Sequence, residues 1–290
     1  MHNTNIYLII LNVLKNSKKI YTKTYFCDII ILSVYILRKN SMENRNENII
    51  AGRNAVRELL RSGRDVDKVL VVSGQQGGSL GEIIALAKQR GVVVTEISKQ
   101  KMDSVAKGIV HQGVCAYASC ASYSTVEDIL AEAEARGEKP FIVIADEIND
   151  PHNLGAIIRC AEGAGVHGVI IPKHRSVGLT GVVAKASAGA IEHMHIAKVT
   201  NIARTVESLK EKGVWVFAAD MGGKNYYDTD LNCACAIVMG SEGKGISRLV
   251  REKCDEVISI PMYGKVNSFN VSTACAVLLC EAAKQKSVNK

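Results

Sequence analysis

The chain has 290 residues, 47% hydrophobic and 22% charged, which excludes a disordered protein and leaves room for two ordinary domains with buried cores. Its net charge of +7 is uneven: Lys15, Lys18, Lys19, Lys23, Arg38 and Lys39 stand against Asp28 in residues 1–41, +5 together, leaving +2 for the rest. A uniformly basic body is excluded, and any nucleic-acid contact must be a local patch.

Residues 1–41 differ in character from the rest of the chain: they are rich in Ile, Tyr, Asn and Lys and contain no Gly, Ala or Glu. Their apolar runs, "IYLIILNVL" and "CDIIILSVYIL", are too short to span a bilayer as helices, and no signal-peptide pattern is clear. The expectation is an upstream extension, with the functional chain starting near Met42 and making no membrane contact. An intact mass that includes residues 1–41 in natively expressed protein would refute it.

From about Asn48 the chain becomes regular. A helix is expected over 54–63, a strand over 66–74 and a helix over 80–91 with Gly91 as its stop. A strand over 92–98, a helix over 99–108 and a strand over 113–119 come next. This alternation predicts a small α/β unit. A polar stretch then leads into the helix of "STVEDILAEAEARG", which places a boundary near Ser122. Beyond it, strands are expected at 141–146, 168–172, 193–199, 214–220, 235–240 and 256–261. Helices are expected at 154–165, 180–189, 202–213, 246–254 and 271–286. Continuously apolar strands between helices predict a parallel sheet covered on both faces.

Gly163, Gly165 and Gly168 spell G-x-G-x-x-G, the dinucleotide fingerprint. That motif requires a strand before the glycines and a helix after them. Here a helix precedes and a strand comes after, so Gly163 and Gly165 read as helix stops. "GSEGKGIS" fails as a P-loop, with two residues between its first Gly and Gly-Lys where four are needed. The nine cysteines contain no C-x-x-C and no zinc-finger spacing. They read as reduced, mostly buried thiols of a cytosolic protein, with no metal site. Cys233 and Cys235 read as strand residues.

Three polar stretches come directly after strands and lead into helices, where α/β folds bind ligands. They are "DEINDPHNLGAIIRCAEGAG", "IVMGSEGKGIS" and "ISIPMYGKVNSFNVSTACAVLLCE". Asn153 also reads as an N-cap, Glu242 as a first-turn carboxylate, and Ser268, Asn270 and Ser272 as caps of the last helix. Arg159, between Ile158 and Cys160, does not read as a purely solvated charge. Arg53, Arg57 and Arg61 recur every four residues, with Arg64 behind. They read either as a phosphate-binding stripe or as a solvated face. Aromatics at 5% point away from base stacking.

The three stretches together resemble the signature motifs of SpoU-type (TrmH-like) SPOUT RNA 2′-O-methyltransferases. "IIAGRNAVRELL" and "HQGV" resemble the branch acting on a guanosine of large-subunit ribosomal RNA. The resemblance implies an L30e-like RNA-binding domain at 42–121, a linker and helix at 122–139, and a SPOUT domain with a C-terminal trefoil knot at 140–290. It implies S-adenosylmethionine as cofactor, near Gly240, Ile260, Met262 and Phe269, where Phe269 replaces the usual Leu. It places catalytic roles on Asn153, Arg159, Glu242, Ser268 and Asn270, with Glu242 orienting Arg159 or the substrate. It also implies a homodimer, through this domain, in which both subunits build the active site. Kept open beside this are a transfer-RNA or resistance-type ribosomal methyltransferase and a non-catalytic L30e-like RNA-binding protein. A nicotinamide dehydrogenase is disfavoured by the reversed glycine context.

Overall fold

The structure is a computed structural model that describes residues 48–75 and 77–287. The expected N-terminal extension at 1–41, its apolar runs and the start near Met42 lie outside these residues. The described residues build two sheets.

The first sheet uses β1 (Ile49–Ala51), β2 (Val66–Val72), β3 (Val93–Ile97) and β4 (Val114–Ala118), in the order β1-β4-β2-β3. Strands β1 and β2 run antiparallel to β4, and β3 runs parallel to β2. Helices α1 (Arg53–Arg61), α2 (Gly78–Gln89) and α3 (Lys99–Ala106) cover it. Val69 and Val71 pack with Val56, Leu60 and Ile83 on one face. Leu70 and Val72 pack with Met102 on the other.

The second sheet uses β5 (Phe141–Ala145), β6 (Gly168–Pro172), β7 (His195–Val199), β8 (Trp215–Asn225), β9 (Cys235–Met239) and β10 (Glu256–Ser259). Their order is β10-β8-β9-β5-β6-β7, and every pairing is parallel. Alternate strand residues serve opposite faces. Val143, Ile171 and Ile237 pack with α5 (Pro151–Gly163), α6 (Gly181–Ala186) and α9 (Val271–Ser287). Ile142, Ile144, Ile170 and Val238 pack with α4 (Val126–Ala135), α7 (Ile202–Glu211) and α8 (Arg248–Lys253). A sheet apolar on both faces needs helices on both, as the continuous apolar runs require.

Several expectations are corrected. The three-residue β1 went unanticipated, and β8 continues to Asn225, past the expected end at Asp220. Helix α5 ends at Gly163 itself, and the turn is made by Gly165 at φ +75°. Only Gly165 is therefore a stop in the left-handed region. Of the eight described cysteines only Cys115, Cys235 and Cys275 are buried. Cys120, Cys160, Cys233 and Cys254 are half-buried and Cys280 is exposed; Cys233, expected as a strand residue, lies in the bend before β9, which starts at Cys235. No described helix is long and apolar enough to cross a membrane.

Candidate active site

The carboxyl ends of β9 and β10, the middle of β8 and the start of α9 surround one cavity of about 440 Å³. Parallel strands aim their carboxyl ends at one edge, so residues distant in sequence meet there. Gly240, Ile260, Met262, Ser268 and Phe269 all line this cavity, together with Glu242 and Asn270. Phe269 is 45% exposed, so its ring stands at the mouth.

Glu242 lies in a tight loop closed by Ser241 and Gly245, whose backbone groups bond each other at 3.0 and 2.8 Å. Gly240 backs directly onto that loop: a Cβ there would come within 2.2 Å of the Gly245 carbonyl carbon. Helix α8 starts only at Arg248, so Glu242 is not the first-turn carboxylate that capping logic suggested. Its Oε1 accepts from Asn153 Nδ2 at 2.9 Å and from Asn270 Nδ2 at 2.5 Å. Asn270 Nδ2 also donates to Asn153 Oδ1 at 3.0 Å. A closed ring thus joins one residue from each polar stretch. Glu242 Oε2 makes no hydrogen bond among the described residues.

Asn153 is not the cap of α5. Asp150 is, its carboxylate accepting from the His152 N–H at 2.7 Å, and Pro151 is the first helical residue. That frees the buried Asn153 amide for the ring. Asn270 serves twice, because its Oδ1 also accepts from the Ser272 N–H at 2.9 Å and the Ser272 hydroxyl at 2.6 Å. It therefore caps α9 while its amide nitrogen holds the ring.

Arg159 is not in this cluster. It is exposed and makes no ion pair or hydrogen bond among the described residues, and Glu242 does not hold it. The reason is helical geometry: six residues beyond Asn153 is about 240° around the axis and about 9 Å along it. Asn153 faces the ring, so Arg159 faces elsewhere.

The arginines of α1 are on one face, but α2 partly neutralises them. Arg61 bonds Glu82 at 2.9 Å, and Arg57 Nε lies 3.7 Å from the same carboxylate. Arg53 is tied to the Gln112 carbonyl at 3.0 Å and to Ser79 at 3.2 Å. Arg61 and Arg64 are exposed. The cavity also uses Ala219, Asp220 and Met221 of β8, and Leu278 of α9, none of which sequence reasoning singled out. The Gly-Gly after Met221, inside a strand, was the available signal.

Comparison with known proteins gives consistent likenesses. Residues 140–280 match the profile of the SpoU rRNA Methylase family. Residues 49–124 match one described as RNA 2′-O ribose methyltransferase substrate binding. The Bacillus subtilis protein YacO, assigned to the TrmH family of tRNA/rRNA methyltransferases, is 43% identical over 84% of this chain and 98% of its own length. A Staphylococcus saprophyticus protein assigned to the same family is 42% identical over 83% of this chain and 96% of its own length. Among solved structures, the SpoU methyltransferase AviRb of Streptomyces viridochromogenes with AdoMet superposes with a TM-score of 0.53 at 19% identity, covering 83% of this chain and 90% of that one. An AdoMet-bound rRNA methyltransferase of Sinorhizobium meliloti gives 0.52 at 23% identity, covering 82% and 87%. At those identities the structures attest a shared fold.

Proposed function

The chain belongs to the SpoU family of RNA methylases, and from that premise we propose that it transfers a methyl group from S-adenosylmethionine to a ribose 2′-hydroxyl of RNA. The target we favour is a guanosine of large-subunit ribosomal RNA. The observation that carries the reading is the ring of Asn153, Glu242 and Asn270 at the rim of the cavity lined by Gly240, Ile260, Met262 and Phe269. We read residues 42–121 as an L30e-like RNA-binding domain, 122–139 as linker and helix, and 140–290 as a SPOUT domain with a trefoil knot. The family match over 49–124 and the separate sheets support that division.

The cavity suits the cofactor. Its volume of about 440 Å³ falls in the small-molecule range. Ile260, Met262 and Phe269 offer an apolar wall for an adenine, while the Glu242 and Asp220 carboxylates complement a cation. Bound there, S-adenosylmethionine supplies an electrophilic methyl group, so the protein's task is chiefly positioning. Asn153 and Asn270 hold Glu242 in one orientation, leaving its Oε2 to accept from a ribose hydroxyl. Ser268 lines the same wall and offers a further hydroxyl.

Arg159 enters through a second copy of the chain in this reading. We assign it no role as a base, since guanidinium groups are donors only. It binds the substrate phosphate and stabilises charge developing on the 2′-oxygen. Its distance from the ring within one chain supports an active site completed by the partner of a homodimer.

The test is transfer of labelled methyl from S-adenosylmethionine to total RNA from a strain lacking the protein. The modified nucleotide is mapped by its resistance to alkaline cleavage. Label at one large-subunit guanosine, lost in Arg159→Ala, is expected. Label in transfer RNA replaces the substrate and keeps the reaction. RNA binding without transfer to naked RNA or immature ribosomal particles overturns the reading.

A further inference from the structure

A buried polar cluster that the methyl-transfer reading does not use lies where the two sheets meet. Asp67 of β2 is 8% exposed. Its Oδ1 accepts from Lys198 Nζ of β7 at 2.9 Å and from the Tyr123 hydroxyl. Lys198 Nζ also lies 3.3 Å from the Tyr123 oxygen and 4.6 Å from its ring centroid. Burial, reinforced by the Asp67 charge, holds the Tyr123 phenol protonated well above its ordinary range, so it remains a donor to Asp67. Asp67 Oδ2 is buried and makes no hydrogen bond among the described residues.

Such a cluster is a poor source of stability. Desolvating two charges costs several kcal/mol, and similar-sized apolar groups often do as well or better. An unpaired buried oxygen adds to the cost. What the cluster supplies is a fixed geometry, and its neighbours show what is fixed. The Leu179 N–H donates to the Tyr123 oxygen at 3.1 Å, and the Leu179 carbonyl accepts from the Cys120 N–H at 2.7 Å. Gly178 lies against Asp67 so closely that a Cβ would come within 2.2 Å of the carboxylate carbon. The same loop is tied at its other end to the first polar stretch. The Val177 N–H and the Ser176 hydroxyl both donate to the Ile148 carbonyl at 3.0 Å. Ile148 lies two residues before Asp150, the cap of the helix that presents Asn153. One short loop, 176–179, therefore touches the first sheet on one side and the ring's own support on the other.

We propose that Asp67, Tyr123 and Lys198 form a joint that holds the RNA-binding sheet in register with the methyl-transfer cavity through loop 176–179, and so determines which nucleotide of a bound RNA reaches the cavity. They are positioning residues, and their role in nucleotide choice rests on the reading under Proposed function. A ruler of this kind must be stiff, because a displacement of about 1 Å at the reacting atoms already costs rate.

Two full-length variants probe the joint in different ways. Gly178→Ala wedges it apart by pressing a methyl group against the Asp67 carboxylate, with no charge removed. Asp67→Asn with Lys198→Met removes the charges and keeps the volumes, where Lys198→Met alone would strand a buried carboxylate. Hydrogen exchange reads the joint without catalysis: peptides spanning 120–126 and 176–180 should exchange faster in both variants. With the RNA identified by the labelling test, KM for RNA should rise about tenfold and label should spread to neighbouring nucleotides. kcat and S-adenosylmethionine affinity should stay within about twofold. A merely structural role would lower kcat and cofactor affinity together, and that outcome overturns the proposal. Unchanged exchange, or one labelled nucleotide at unchanged KM, also overturns it. If the wild type transfers no methyl group, the functional reading fails while the exchange result still decides whether the joint exists.

Discussion

Asn270 carries two duties on one amide, and they can be separated. Asp caps helices as well as Asn does, but it has no nitrogen to donate and would set a second carboxylate beside Glu242 Oε1, now 2.5 Å from the amide. Asn270→Asp should keep the α9 cap and lower kcat about a hundredfold, the size expected when one positioned catalytic contact is lost. Asn270→Ala should lose activity similarly and also about 1 kcal/mol of stability with the cap. Comparing kcat with thermal melting distinguishes the two; an active Asn270→Asp enzyme would refute the ring's role. A second residue-scale expectation concerns Cys233. Its thiol is pulled down to about 7, first by its hydrogen bond with the Cys235 thiol and then by the Lys286 ammonium. Burial pushes Cys254 up to about 12. The thiolate is the nucleophile, so alkylation at Cys233 should rise through half-maximum near pH 7, while Cys254 stays inert there. Mass-spectrometric mapping from about pH 5 to 9 checks it, and Cys254 reacting before Cys233 would contradict it.

At the scale of elements, helices α5 and α6 touch through Gly155. A Cβ there would lie 2.5 Å from Ala186 Cβ and 2.7 Å from the Val183 carbonyl oxygen. Helix propensity alone favours Ala over Gly by about 1 kcal/mol. The overpacking should win, so Gly155→Ala should destabilise by about 1–3 kcal/mol in denaturant titration; a gain would mean that α6 can move away. The order of the elements was legible because buried strands and amphipathic helices leave different apolar patterns. The short β1 was not, because three residues carry no period and its pairing with β4 joins Ile49 to Tyr117. The Asp150–Pro151 cap was written in the residues, yet Asn153 is also a good capping type and drew the same reading.

For the whole molecule, the polar stretches could be recognised, but the ring they make could not be read from spacing, since it spans 89 and 117 residues. The pairing of Arg57 and Arg61 with Glu82, and the exposed place of Arg159, likewise depend on tertiary structure. If a partner supplies Arg159, Arg159→Ala and Asn270→Asp chains, each inactive alone, should regain activity when mixed. One of the two sites in each mixed dimer is then intact. Refolded mixtures that remain inactive would place Arg159 at its own chain's site. The closed ring has one more consequence. Each of its two amide groups is immobilised by contacts from loops that meet only in the finished fold. The side-chain NH2 protons of Asn153 and Asn270 should therefore give two separate pairs of narrow, slowly exchanging resonances. In a partly assembled chain these would merge into the common amide envelope, so nuclear magnetic resonance offers a spectroscopic gauge of active-site completion that needs neither RNA nor cofactor.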